Sequence, residues 1–204
     1  MAGPSDSPKR LLRTDIRRSR RALSPAQYAQ EAAAFATQLR ALVEATGAHR
    51  VAAYLSGPTE PSTRIFLNAL LRDGLEALLP IPRHDGLMDW VLADGESEQM
   101  SDLGVPEPVG EILNPLAMDA VDLIIAPALA VDREGYRLGQ GGGYYDRMLH
   151  SMARRPPVVA VVRESEIVSR VPREPTDIPV DGAVTPTSLV RFGPGFLGSR
   201  GLAR

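Results

Sequence analysis

The chain has 204 residues, of which 44% are hydrophobic, 5% aromatic and 24% charged, with a formal net charge of −2. This balance predicts one soluble domain with an aliphatic core and is a poor fit to disordered or fibrous classes. There is no cysteine, which excludes disulfides, zinc thiolate clusters and thiol nucleophiles.

The start, "MAGPSDSPKRLLR", lacks the apolar stretch of a signal peptide, and the longest apolar run, "LIIAPALAV", is proline-broken and too short to cross a bilayer. A soluble cytoplasmic protein is expected. Ser7 and Pro8 read as N-cap and first-turn residues of a helix running to about Leu23, with Leu12, Ile16 and Leu23 on its apolar side. Residues 9 to 21 hold seven cations against Asp15 alone, a local charge of +6, so the rest of the chain sums to −8. Lys9, Arg13 and Arg17 are spaced by four and share a face that either meets a polyphosphate or is simply solvated. "SPAQ", 24 to 27, offers a capping box from Ser24 and Gln27, and Tyr28, Ala32, Phe35, Leu39 and Leu42 recur at helical period until Gly47.

"RVAAYLS" then reads as a buried strand, "STRIFLNALLRDG" as a helix capped by Ser62 or Thr63 and stopped by Gly74, and "LEALLPIP" as a second strand. This βαβ unit implies an α/β fold with a mainly parallel sheet. "LMDWVLA" is a further candidate strand, whereas residues 95–118 read as one long loop, a candidate lid on length alone. "VDLIIAPALAVD" is the strongest buried-strand signal, "YYDRMLHSMARR" a helix and "PPVVAVVRE" a strand. The end of the chain, 193–204, has turn composition and is expected to be a flexible tail on a single domain spanning 1–204.

"RLGQGGGYYDR", 137 to 147, lies between the strongest strand and a helix, where open α/β sheets bind ligands. Gly139, Gly141, Gly142 and Gly143 suit either a nest of backbone N–H groups around an anion or a tight connection that uses glycine for geometry alone. Asp146 falls in the first turn of the helix. Beside a bound phosphate it would need a cation such as Mg²⁺ between the two anions; without a ligand it is a helix-dipole aspartate.

The common nucleotide signatures are absent: there is no G-x-x-x-x-G-K-[ST], and Tyr144 breaks G-x-G-x-x-G. His49, His84 and His150 lack metal-ligand spacing, and no G-x-S-x-G elbow occurs, so zinc chemistry and hydrolytic triads have little support.

From about residue 9 to residue 185 the chain resembles the 5-formyltetrahydrofolate cyclo-ligase family, also called methenyltetrahydrofolate synthetase. The glycine stretch matches that family's R-L-G-x-G-x-G-Y-Y-D signature. "KRLLR", "YLSGPTEPST", "DLIIAPALAVDREG" and "VPREPTDIPVDGAVT" match other family motifs in the expected order. The resemblance implies Mg²⁺- and ATP-dependent closure of 5-formyltetrahydrofolate to 5,10-methenyltetrahydrofolate, on a three-layer fold similar to sugar-phosphate isomerases and coenzyme A transferases.

It also implies roles for individual residues. Lys9, Arg10, Leu11, Leu12 and Arg13, with Arg137, Leu138, Gly139, Gln140, Gly141, Gly142, Gly143, Tyr144 and Tyr145, would bind ATP. Arg13, Leu55, Glu60 and Gln140 through Tyr144 would meet the folate, and Asp146 and Asp181 would hold Mg²⁺. Lys9, Arg137 and Tyr144 would be catalytic. Some family members carry arginine or lysine inside the glycine loop, where this chain has Gln140 and Gly142. Phosphate neutralisation is therefore expected to rest on Lys9, Arg13, Arg137 and the metal. Folate and ATP are the expected partners of a monomer that uses neither nucleic acid nor membrane. Two other readings are an ATP-binding paralogue with a non-folate substrate and a nucleic-acid module using Arg17, Arg18, Arg20 and Arg21.

Overall fold

The computed structural model describes residues 7–102 and 104–193. Of the expected tail, only Gly193 falls among them; the rest lies outside the described residues. Helix α1, Pro8–Arg21, starts where Ser7 accepts the Arg10 amide. Helix α2, Pro25–Thr46, opens on the full Ser24–Gln27 capping box and ends on left-handed Gly47. Strand β1, Arg50–Ala52, helix α3, Arg64–Arg72, and strand β2, Glu76–Pro82, form the expected parallel βαβ unit. Thr63 stands at the N-cap of α3, but its hydroxyl makes no cap bond and donates to the Tyr54 carbonyl instead.

Strand β3, Met88–Leu92, returns antiparallel to β2. The segment expected as one loop, 95–118, contains a hairpin of β4, Glu98–Met100, and β5, Pro106–Pro108, followed by a short 3₁₀ turn from Pro115. The single strand expected in "VDLIIAPALAVD" is two: β6, Leu123–Pro127, and β7, Ala130–Asp132. The break follows from pairing, because the Leu129 amide is drawn to the Leu138 carbonyl, where β8, Arg137–Leu138, runs antiparallel to β7. The glycine loop therefore leaves the small sheet, not the central one. Helix α4, Tyr144–Ser151, and strand β9, Val158–Val161, follow. The remaining strands are β10, Ile167–Val168, β11, Gly182–Val184, and β12, Leu189–Arg191.

The central sheet has the order β12-β11-β9-β6-β1-β2-β3, parallel from β11 to β2 and antiparallel at both edges. Phe35, Leu39, Leu42, Phe66 and Leu70 of α2 and α3 pack on one face against Val51, Leu123 and Ile125. Ile124 and Ala126 point to the other face, with Trp90 and Leu149 of α4, as strand alternation requires. A third cluster joins Ile16 of α1 to Leu129, Ala130 and Leu138 beside the small sheet. Burying Ile16 is worth about 1.5–3 kcal/mol and seats α1 against the strand that feeds the glycine loop.

Candidate active site

Two cavities border the glycine loop and the segment leaving the carboxyl end of β1. The larger, about 810 Å³, is lined by Lys9 and Arg13 of α1, by the glycine loop, by Asp146 and His150 of α4, and by Glu174, Thr176 and Asp177. The second, about 530 Å³, is lined by Tyr28 of α2, by Ser56, Glu60 and Arg64, and by Glu98 to Met100 of the hairpin.

Lys9, Arg13 and Arg17 share one face of α1, and Lys9 and Arg13 line the larger cavity. Lys9 is held by Asp177 at 2.7 and 3.0 Å and lies 3.4 Å from Glu174. Arg13 donates to the Gly139 carbonyl at 2.9 Å, and Arg17 to the Gln140 side chain at 2.8 Å and its carbonyl at 3.4 Å. Burial and the neighbouring charge of Arg17 together lower the Arg13 pKa. Arg10, Leu11 and Leu12 do not line the cavity; Leu12 packs with Ile16 instead. Arg20 is not available to a nucleic acid: it is 1% exposed, bonded to both Glu166 oxygens and to the Ala128 carbonyl.

In the glycine loop Gly141 has φ +116 and Gly143 φ +67, conformations that glycine adopts without strain. A Cβ on Gly142 would lie 2.5 Å from the Tyr144 ring, so that position requires close approach. Arg147, which sequence reasoning missed, donates to the Gly142 carbonyl and to Gly86. Arg13, Arg17 and Arg147 thus take the carbonyls of residues 139, 140 and 142. Across trans peptides, the N–H groups of Gln140, Gly141 and Gly143 then point away from the carbonyls that these arginines hold.

Arg137 is buried, donates to the Ile178 carbonyl and pairs with Asp146 at 3.1 Å; the other Asp146 oxygen accepts the Ile178 amide. The cation that makes Asp146 tolerable is therefore already supplied by Arg137. Asp181 does not join Asp146 in the cavity. Its oxygens accept from the Val158 amide, at the amino end of β9, and from Arg155. No group of three or more candidate ligands able to hold a metal occurs among the described residues. Mg²⁺ commonly binds through one or two carboxylates plus substrate phosphates and water; of the two aspartates Asp146 lines the cavity, its oxygens engaged by Arg137 and the Ile178 amide, and Asp181 does not.

Tyr144 donates to the Arg83 carbonyl, and its ring lies 5.4 Å from the Arg147 guanidinium. Tyr145 turns inward, its hydroxyl buried without a protein partner and its pKa pushed up by burial. Glu60 reaches Gln140 at 2.9 Å. Leu55 does not share the Glu60 cavity; it packs against the core and lines a smaller cleft. Asp177, Glu174 and Thr176 carry no sequence signal that separates them from ordinary surface residues. Only their meeting across the cavity marks them.

Residues 5–186 match the model of the 5-formyltetrahydrofolate cyclo-ligase family. The chain belongs to that family. Among curated cyclo-ligases it is 35% identical to that of Mycolicibacterium smegmatis over 183 residues, covering 87% of this chain and 93% of the relative. The Escherichia coli cyclo-ligase is 33% identical over 178 residues, covering 85% and 98%. The solved 5,10-methenyltetrahydrofolate synthetase of Aquifex aeolicus superposes with a TM-score of 0.76 at 30% identity, over 96% of each chain. That of Mycoplasma pneumoniae, at 20% identity and a TM-score of 0.70, shares the fold over 92% of this chain and 100% of its own. Among the described residues no helix is long and apolar enough to cross a membrane. The protein is an enzyme of a ligase family that acts on folates.

Proposed function

We propose that this cyclo-ligase uses ATP to close 5-formyltetrahydrofolate to 5,10-methenyltetrahydrofolate, with ATP in the 810 Å³ cavity and the folate in the 530 Å³ cavity. The observation that supports this reading best is the Glu60–Gln140 hydrogen bond of 2.9 Å, which ties the glycine loop bordering the first cavity to a residue lining the second. The reaction requires such a junction, because an atom of one ligand must attack an atom of the other.

The N5-formyl group is amide-like and a poor electrophile. Its oxygen attacks the γ-phosphorus and ADP leaves; N10 then attacks the formyl carbon and loses its proton, and inorganic phosphate departs as the methenyl bridge forms. Charge neutralisation and positioning supply the catalysis, without a protein nucleophile. Lys9, Arg13 and Arg137 stabilise the phosphates, and the glycine-loop amides cradle them. Tyr144 holds the loop against the β2–β3 turn, and Glu60 accepts from pterin N–H groups. Mg²⁺, arriving with the nucleotide, would be held on the protein side by Asp146 and would neutralise phosphate charge. In this reading a single cyclo-ligase domain, related in fold to sugar-phosphate isomerases and coenzyme A transferases, works as a cytoplasmic monomer on small molecules.

The test is to incubate the purified protein with 5-formyltetrahydrofolate and Mg-ATP and to follow the methenyl chromophore. Its appearance, dependent on both substrates, is expected; its absence beside an active control enzyme removes the reading.

A further inference from the structure

Gln140 of the glycine loop is bonded to Glu60, which lines the second cavity, and its amide has a defined orientation. Arg17 can only donate, so the oxygen that it meets at 2.8 Å is the amide carbonyl. Glu60, as a carboxylate, can only accept, so it receives the amide N–H at 2.9 Å. The other Glu60 oxygen accepts the Gly57 amide at 2.9 Å. Both Glu60 oxygens are thereby engaged on the protein, although Glu60 lines the cavity assigned to the folate.

Arg17 stands next to Arg13 on α1, close enough for its charge to help lower the Arg13 pKa, and Arg13 lines the nucleotide cavity. Two adjacent guanidiniums over one loop attract an anion. A phosphate offers Arg17 a charged, bidentate partner in place of a neutral amide oxygen.

We propose that Arg17 and Gln140 are positioning residues that couple the two substrate sites: phosphate binding at the glycine loop draws Arg17 from Gln140, and Gln140 releases Glu60 to the folate. The proposal rests on the cyclo-ligase reading above. The nucleotide therefore raises folate affinity, and by linkage the folate raises nucleotide affinity by the same factor.

The test is calorimetric titration of 5-formyltetrahydrofolate into the full chain, with and without a saturating non-hydrolysable ATP analogue and Mg²⁺. The wild type is expected to bind the folate about 5-fold or more tightly with the analogue present, with the same factor recovered in the reverse titration. In Gln140→Ala, folate affinity without nucleotide should rise towards the wild-type nucleotide-bound value, and the factor should fall to near one. Arg17→Ala should also lose the factor, and the double variant should lose no more than either single one. Melting temperatures near that of the wild type confirm folding of these exposed-site variants. Equal folate affinity with and without nucleotide in the wild type, or a retained factor in Gln140→Ala, overturns the coupling alone. Absence of folate binding in every condition overturns the functional reading and the coupling with it.

Discussion

Asp146 and Arg137 are paired at 3.1 Å beside the 810 Å³ cavity, and Arg137, with a side chain only 4% exposed, has its charge balanced there by Asp146. The carboxylate that a bound phosphate would repel thus already serves a buried guanidinium. On the proposed reading, Asp146 would join stability to substrate binding through one contact.

Asp146→Asn separates these two roles. Asparagine keeps an acceptor for Arg137 but loses the charge, so a destabilisation of about 1–3 kcal/mol is expected from the weakened pair. Turnover should fall by about 10²-fold, the magnitude typical of losing one electrostatic contact to a developing charge. The Mg²⁺ concentration needed for half-maximal rate should rise. Near-normal turnover at limiting Mg²⁺ would refute the role of Asp146 as the metal's anchor.

Arg20 and Glu166, 1% and 4% exposed in their side chains, form a buried pair at 2.7 Å that fixes the end of α1. Glu166→Ala leaves the guanidinium uncompensated and should cost about 3–5 kcal/mol, read as a lower urea midpoint. Because Glu166 also accepts the Arg163 amide at 2.9 Å, the double variant Arg20→Met with Glu166→Leu should recover the part of that loss that comes from the unpaired Arg20. If it is no more stable than Glu166→Ala, the cost does not come from an unpaired charge.

Tyr54 and Tyr145 are both raised above the ordinary tyrosine value of 10.0, chiefly by burial. A raised folded pKa gives stability that is complete below the unfolded value and is lost as pH rises through the folded one, because the unfolded chain releases its protons first. Stability should therefore fall above about pH 10, by about 1.4 kcal/mol per pH unit for each tyrosine. Tyr145→Phe removes one of the two, and with it a buried hydroxyl lacking a protein partner. The variant should be at least as stable at neutral pH and show a shallower alkaline decline in melting temperature. An unchanged slope would count against burial as the cause.

Gly142→Ala places a methyl group 2.5 Å from the Tyr144 ring and forces that ring from its place beside Arg147. The loop is exposed, so the melting temperature should change little, while the KM for ATP should rise by about tenfold, roughly 1.4 kcal/mol of binding. An unchanged KM would show that the loop binds nucleotide without Tyr144 in this position.

Local signals carried much of the fold. The Ser24–Gln27 box and the helical period after Tyr28 depend on neighbours within a few residues, and α2 begins where they place it. Residues 95–118 show the opposite case. A strand of Pro106, Glu107 and Pro108 has no strand propensity of its own and exists because Glu98–Met100 pairs with it. "VDLIIAPALAVD" is apolar from Leu123 to Val131, so its division between two sheets was hidden until the Leu129 amide met Leu138.

The same physics divides the site. The sequence by itself determined the family, the βαβ frame, the glycine loop and the cationic face of α1, because backbone freedom at Gly141 and Gly143 and a four-residue spacing are local properties. Tertiary structure alone decided the partners: Lys9 meets Asp177 across 168 residues, Arg17 meets Gln140 across 123, and Asp181 turns to Arg155 and Val158. Such contacts are set by how α1, the small sheet and the segment before β11 pack together, and one charged surface residue resembles another until packing brings its counterpart within hydrogen-bond reach.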